Sequence, residues 1–357
     1  MDHIGFGVVG CGRVSEKHLQ SIRDADKSRL VAVCDVVEEK ARDKGEKYGV
    51  PWYTSMEAMV EAQPGIDVID ILTPSGDHAA TTLAALDMGK HVLVEKPMAL
   101  TLDDAEAMIL KADRAGRRLF VVKQNRYNKP VVRARQLFDE GAFGQMVMGT
   151  VRVRWCRPQA YYDRDEWRGT WRWDGGVLSN QASHHIDLLQ WFMGEPESVY
   201  AVGRTALVDI ECEDTAAAVI QFRGGAVGIV EATNATRPRD LEGSLSLMGS
   251  KGSVVIGGFA VNQVQAWQFE DRETPADVLT DLSTQPPDVY GFGHRQVIEN
   301  VCESLQSDTA ALVEGWEGMK SLRLTMAFYE SIETGKPISM RFRPNRCRLG
   351  RDSNGAV

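Results

Sequence analysis

The chain's apolar positions follow two regimes. Over residues 4–123, short apolar runs alternate with helically spaced segments. Ile4–Val9, Leu30–Cys34, Val68–Leu72, His91–Val94 and Leu119–Val122 read as buried strands. The stretches 15–26, 37–48, 77–88 and 102–115 read as helices, the third stopped by Gly89. Such alternation predicts a parallel, doubly wound sheet. Right-handed crossovers then bring every strand's C-terminus to one edge, where ligands bind.

The period changes near Gln124. After a helix at 129–140 closed by Gly141, strand-like runs cover 146–155, 198–205, 215–222, 226–233, 242–247 and 253–256. Their connections are short turns such as Arg223-Gly224-Gly225 and Gly249-Ser250-Lys251-Gly252, which predict antiparallel neighbours. Helices are expected at 181–193, 293–306 and 313–334, and a polar, Pro-containing loop at 268–289. Apolar residues alternate along 146–155 and 215–233, so one face of this second sheet would be left bare in a monomer, and a homodimer or homotetramer is expected.

The chain's 357 residues exceed the roughly 250–300 that one hydrophobic core serves. The expected division is an α/β Rossmann domain over 1–123, an α+β domain with a large, open, mostly antiparallel sheet over 124–340, and an Arg-rich, partly disordered tail over 341–357. The formal net charge of −9 argues against nucleic acid as a partner. The six cysteines are scattered, with neither metal spacing nor a C-x-x-C pair, so reduced thiols and no metal are expected. No signal segment and no apolar run of about 20 residues is evident, which points to the cytoplasm and away from membranes.

The chemistry clusters at strand ends. Gly10-Cys11-Gly12-Arg13-Val14-Ser15 follows the first strand and opens a helix, and Asp35 ends the second strand. Glycines admit a pyrophosphate to the helix N-terminus, and an acid at this place takes the adenosine ribose hydroxyls. A carboxylate there repels a 2′-phosphate, so NAD is preferred over NADP. Thr73-Pro74-Ser75-Gly76-Asp77-His78 would border the nicotinamide half, with His78 either contacting cofactor or tying the loop. Glu95-Lys96-Pro97 ends the fourth strand in the same crevice, where an ammonium can hold a reacting hydroxyl. In the second domain, Asp174-Gly175-Gly176 leads to Asn180 and His184, one turn apart if residues 181–193 are helical. An imidazole suits removal of an alcohol proton, whereas His185 reads as a core residue.

Together, Gly10-Cys11-Gly12, Asp35, Glu95-Lys96-Pro97 and the Gly-Gly…His-x-x-Asp segment resemble the glucose–fructose oxidoreductase / inositol dehydrogenase (Gfo/Idh/MocA) family over nearly the whole chain. The resemblance implies a Rossmann domain followed by an oligomer-forming open-sheet domain. It implies Lys96 as active-site lysine and His184 as catalytic histidine, supported by Asn180. It implies a cofactor set of Gly10, Gly12, Arg13, Val14, Asp35, Thr73, Pro74, His78, Glu95, Lys96 and Asn125. Asn180 departs from the family, where many members carry aspartate. A narrower resemblance lies in Val122-Lys123-Gln124-Asn125-Arg126, Arg157-Pro158-Gln159-Ala160-Tyr161-Tyr162, Trp167-Arg168-Gly169-Thr170-Trp171 and Asn180–His184. These are similar to UDP-N-acetyl-2-amino-2-deoxyglucuronate 3-dehydrogenases, which make a 3-keto nucleotide sugar on the way to 2,3-diamino uronic acids of surface polysaccharide. Arg126, Arg157, Tyr161 and Arg168 are then the candidates for carboxylate, diphosphate, sugar or base, beside Lys96, Asn180 and His184. The competing expectations are a dehydrogenase of a free sugar or cyclitol such as myo-inositol, and a non-catalytic dinucleotide sensor.

Overall fold

The computed structural model describes residues 3–271, 273, 278–286 and 290–351. The chain divides into two compact units, residues 1–123 with 293–319, and residues 124–292 with 320–357.

The first unit is built from β1 (Ile4–Val9), α1 (Ser15–Asp24), β2 (Ser28–Cys34), α2 (Glu38–Tyr48), β3 (Trp52–Tyr53), α3 (Met56–Ala62), β4 (Val68–Ile71), α4 (His78–Asp87), β5 (His91–Val94), α5 (Leu102–Ala115) and β6 (Leu119–Val121). The strands form one parallel sheet in the order β3-β2-β1-β4-β5-β6. Every residue of β1, β4 and β6 is buried, which explains their unbroken apolar runs. The two-residue β3, too short to leave a period, adds a sixth strand to the five expected. α5 begins where Thr101 Oγ1 accepts the Asp104 N–H and ends at the left-handed Gly116.

The second unit contains α6 (Lys129–Asp139), β7 (Met146–Arg154), α7 (Gln159–Tyr162), α8 (Ser183–Met193), β8 (Pro196–Arg204), β9 (Thr215–Phe222), β10 (Val227–Thr233), β11 (Glu242–Gly249), β12 (Gly252–Gly257), β13 (Gln263–Phe269) and α9 (Val278–Asp281). Next come α10 (His294–Ser307), which belongs with the first unit and packs on α1, then α11 (Gly315–Thr334) and β14 (Ile338–Ser339). The eight-stranded sheet runs β13-β12-β11-β7-β10-β9-β8-β14. It is antiparallel except for β7 and β10, which pair in parallel, so short turns alone do not give the whole topology. α8 covers one face and is buried on all sides except at Trp191. On the other face Tyr200, Val202, Val219, Val227 and Met248 stand exposed.

One expectation is corrected here. The segment read as loop from 268 begins inside β13, an edge strand paired to β12, and holds α9; residues 272, 274–277 and 287–289 of that segment lie outside the described ones. Residues 341–351 of the Arg-rich tail are held against the second unit, and residues 352–357 lie outside the described ones. Glu330 accepts the N–H groups of Asn345 and Arg346, Glu333 accepts that of Arg348, and Cys347 and Leu349 are buried. Its charges mask apolar anchors spaced two apart. No helix among the described residues is long and apolar enough to cross a membrane.

Candidate functional site

In the first unit the turn after β1 is shaped for close approach. Gly10 has φ 101°, and a Cβ there would meet the Leu72 carbonyl carbon at 2.6 Å. A Cβ at Gly12 would meet nothing within 4 Å, so open space lies beside the start of α1, where no side chain caps the helix. This geometry fits a dinucleotide pyrophosphate at the helix N-terminus. Ser15, at the third glycine position, is fully buried and donates to the Gly12 carbonyl at 2.6 Å. Asp35 accepts the Cys11 N–H at 2.7 Å with one oxygen and the Val37 N–H at 2.9 Å with the other, which fixes the carboxylate over the turn. Burial, with help from Asp35, pushes the thiols of Cys11 and Cys34 up to about 12, so both stay protonated.

The loops after β4 and β5 are tied together. The buried His78 lies 2.7 Å from the Pro97 carbonyl and 3.0 Å from that of Thr73. Burial lowers its basicity against both contacts. Glu95, also buried, accepts the Lys96 N–H at 2.8 Å through Oε2 and faces His18 Nε2 at 3.0 Å through Oε1. His18 Nδ1 lies 2.8 Å from Asp70 Oδ2.

In the second unit, residues 124–127 form a single 3₁₀ turn. The Gln124 amide reaches His184 Nε2 at 3.0 Å; the amide N–H donates, so that ring nitrogen carries a lone pair. Asn180 Nδ2 donates to Asp174 Oδ1 at 2.5 Å, and Asp174 Oδ2 accepts the Gly169 N–H. Asn180 precedes the helix, whose first residue is Ser183. Residues 174–182 wind as turns bonded back to the carbonyls of Gly176 and Val177, so Asn180 and His184 do not share a helical face. Beneath this segment the buried Glu213 accepts the Leu178 N–H at 2.9 Å and the Tyr329 hydroxyl at 3.0 Å. Burial pushes its carboxyl up to about 7.

The arginine candidates separate. Arg168 stacks over Tyr161 and Trp167, at 4.7 and 4.4 Å, and bonds Asp165 and the Tyr161 hydroxyl. Arg157 lies over Trp155 and Tyr161 and pairs with Asp240 at 2.8 Å. Tyr161 is thus flanked by both. Arg126, by contrast, is 2% exposed and grips Asp187 bidentately at 2.8 and 2.9 Å, so its fork already faces a carboxylate of the protein itself. Trp171 is buried edge-on to Tyr329, and His185 is buried against Trp155.

Sequence reasoning passed over His18, Asp70, His294 and Glu213. Only His18 left a trace, as a polar residue on the apolar side of α1. Gln124 stood in a quoted motif, but its contact to His184 spans 60 residues.

Two family models match the chain: "Oxidoreductase family, NAD-binding Rossmann fold" over residues 4–123, and "Oxidoreductase family, C-terminal alpha/beta domain" over 135–340. Among solved structures, the WlbA dehydrogenase of Bordetella pertussis in complex with NADH and UDP-GlcNAcA is 41% identical, with TM-score 0.90, covering 95% of this chain and 98% of that one. The WlbA dehydrogenase of Chromobacterium violaceum, in complex with the same two molecules, is 39% identical, with TM-score 0.89, over 95% of this chain and 96% of that one. Among curated proteins, the myo-inositol 2-dehydrogenase of Thermotoga maritima is 27% identical over 353 residues, 94% of this chain and 98% of its own.

Proposed function

The chain belongs to the Gfo/Idh/MocA family of NAD-dependent sugar and cyclitol oxidoreductases, and on that premise we propose that it oxidises the C3 hydroxyl of UDP-N-acetylglucosaminuronic acid to the 3-keto sugar, for 2,3-diamino uronic acid synthesis. The observation carrying this reading is the 41% and 39% identity, over 95% of the chain, to two dehydrogenases held with NADH and UDP-GlcNAcA. The cyclitol alternative has support only at 27% identity.

Bound NAD would supply the hydride acceptor for C3. The residues proposed to hold it are Gly10, Gly12, Arg13, Val14 and Asp35, with Thr73, Pro74, His78, Glu95, Lys96 and Asn125 toward the nicotinamide. Lys96 hydrogen-bonds the reacting oxygen and stabilises its developing negative charge. His184 takes the hydroxyl proton at Nε2, whose lone pair accepts from the Gln124 amide in this structure, so Gln124 yields that contact to the substrate hydroxyl. Asn180 orients the site through its amide. Arg168, Arg157 and Tyr161 form a cationic, aromatic surface suited to the uronate, the diphosphate and a stacked ring.

Steady-state kinetics with UDP-N-acetylglucosaminuronic acid, UDP-N-acetylglucosamine and myo-inositol tests the proposal. The uronic acid is expected to be the best substrate. Lys96→Met and His184→Asn are expected to lower turnover by about 10²–10⁴. Arg168→Ala is expected to raise KM for the uronic acid with little change in kcat, as a contact made equally in ground and transition states does. Faster oxidation of myo-inositol would overturn the substrate assignment, and full turnover by Lys96→Met would overturn the catalytic one.

A further inference from the structure

A second constellation lies directly behind Lys96. His18, in the first turn of α1, is 1% exposed, and each of its ring nitrogens faces a carboxylate: Nδ1 faces Asp70 of β4 at 2.8 Å, and Nε2 faces Glu95 at 3.0 Å. His294, the first residue of α10, meets the His18 ring edge-on at 5.0 Å and places its Nε2 at 3.7 Å from the same Glu95 oxygen. Asp70, Glu95 and His294 are the titratable groups facing His18 among the described residues.

A neutral imidazole carries one N–H and can donate to only one carboxylate. Two ionised acceptors, one at each nitrogen, call for the imidazolium. Burial opposes that charge, but Asp70 and Glu95 overcome it and raise His18 to about 10. Burial would likewise raise Glu95, yet His18 and His294 hold it well below the carboxylate range. The other Glu95 oxygen accepts the Lys96 N–H, and Pro97 is latched by His78. The turn carrying Lys96 is therefore pinned at both ends.

We propose that His18 is a positioning residue for Lys96: held as an imidazolium between Asp70 and Glu95, it locks the Glu95 carboxylate and through it the backbone that presents the lysine. Because His18 sits one turn into the helix whose N-terminus fits the pyrophosphate, the same ring joins the cofactor-side helix to the catalytic turn. The ligand-type atoms of His18, Glu95 and His294 all lie within 4.8 Å of one another, a spacing a metal ion could also use. Nε2 of an imidazolium carries a proton rather than a lone pair, so the proposal excludes a metal there.

The proposal rests on Lys96 acting as read above, so its test has an arm independent of turnover. Ring ¹⁵N NMR of the wild type at pH 8, with the His18 signals assigned by their loss in His18→Gln, is expected to show both His18 nitrogens protonated. With UDP-N-acetylglucosaminuronic acid, His18→Gln is expected to lose about 10–100-fold in kcat, the scale of a small misplacement of a reacting group, with KM for NAD within about twofold. If His18→Gln does not fold, Asp70→Asn serves instead. It keeps the ring but removes one carboxylate, and is expected to lower the His18 titration and move the alkaline limb of kcat to lower pH. A neutral His18 ring at pH 8, a stoichiometric metal in the purified protein by elemental mass spectrometry, or a folded His18→Gln with unchanged kcat would overturn the proposal. If the wild type oxidises none of the sugars, the assigned activity falls while the NMR result still decides the state of His18.

Discussion

The pair Arg126–Asp187 offers the sharpest separation of structure from binding. Both side chains are 2% exposed, joined by two charge-assisted hydrogen bonds, with the guanidinium 4.7 Å above the Trp191 ring. Arg126→Met keeps the volume and removes the charge, leaving the Asp187 carboxylate buried without its fork. Breaking one side of such a pair costs about 3–5 kcal/mol. In a unit of this size each kcal/mol moves the melting point by about 2–4 °C, so a fall of roughly 6–20 °C is expected. The double variant Arg126→Met, Asp187→Leu replaces the whole pair with apolar groups and should recover at least half of the loss, since an absent pair costs far less than a broken one. Thermal and denaturant melts of the four proteins give the cycle. A loss below about 1 kcal/mol in Arg126→Met, or a double variant no better than the single, would refute the reasoning. If the double variant is stable but its KM for UDP-N-acetylglucosaminuronic acid rises tenfold, Arg126 returns to the substrate set.

Three further outcomes are expected. Calorimetry should show NAD bound at least about tenfold, or ~1.4 kcal/mol, tighter than NADP, and Asp35→Ser with Val36→Arg should narrow the gap; equal affinity in the wild type would remove the role given to Asp35. Glu213 titrates higher in the folded state than in the unfolded one, so its contribution to stability is fully present below about pH 4.5 and is lost as pH rises through about 7. Between pH 5 and 8 the unfolding free energy of the wild type should fall relative to Glu213→Gln, by an amount on the order of 3 kcal/mol at most, and parallel curves would refute the burial argument. Light scattering at micromolar concentration should give a homodimer or homotetramer, and Val219→Asp on the exposed sheet face should weaken it; a monomeric wild type would refute this use of that face.

What the sequence made legible was whatever repeats with a short period. The buried parallel strands announced themselves as apolar runs, and α5 carried both its cap at Thr101 and its stop at Gly116. Six strands of the second sheet were visible as runs bounded by short turns, whereas β13, inside a polar stretch, and the two-residue β14 were not. Nor was the sheet's one parallel pairing, since β7 and β10 are joined in space across 72 intervening residues. Among the candidate residues, the backbone turns at Gly10–Ser15 and Glu95–Pro97 could be read from their motifs. A charge balance among distant residues could not. His18, Asp70 and Glu95 come from three distant stretches of chain, and the pairing of Arg126 with Asp187 left no sign in the sequence, because a guanidinium placed for a buried carboxylate and one placed for a bound carboxylate carry the same letter.

Asn180 bears on how the proposed base is tuned. A carboxylate beside an imidazole stabilises its charged form and raises its pKa, whereas an amide only orients it. The Asn180 amide nitrogen is taken by Asp174, which is 1% exposed and accepts the Gly169 N–H with its second oxygen. An amide donating to a buried carboxylate presents a more polarised carbonyl oxygen to any donor on its other side. Negative charge thus reaches the region through an intervening amide, attenuated rather than absent. Position 180 therefore offers the proposed site a dipole and not a charge of its own.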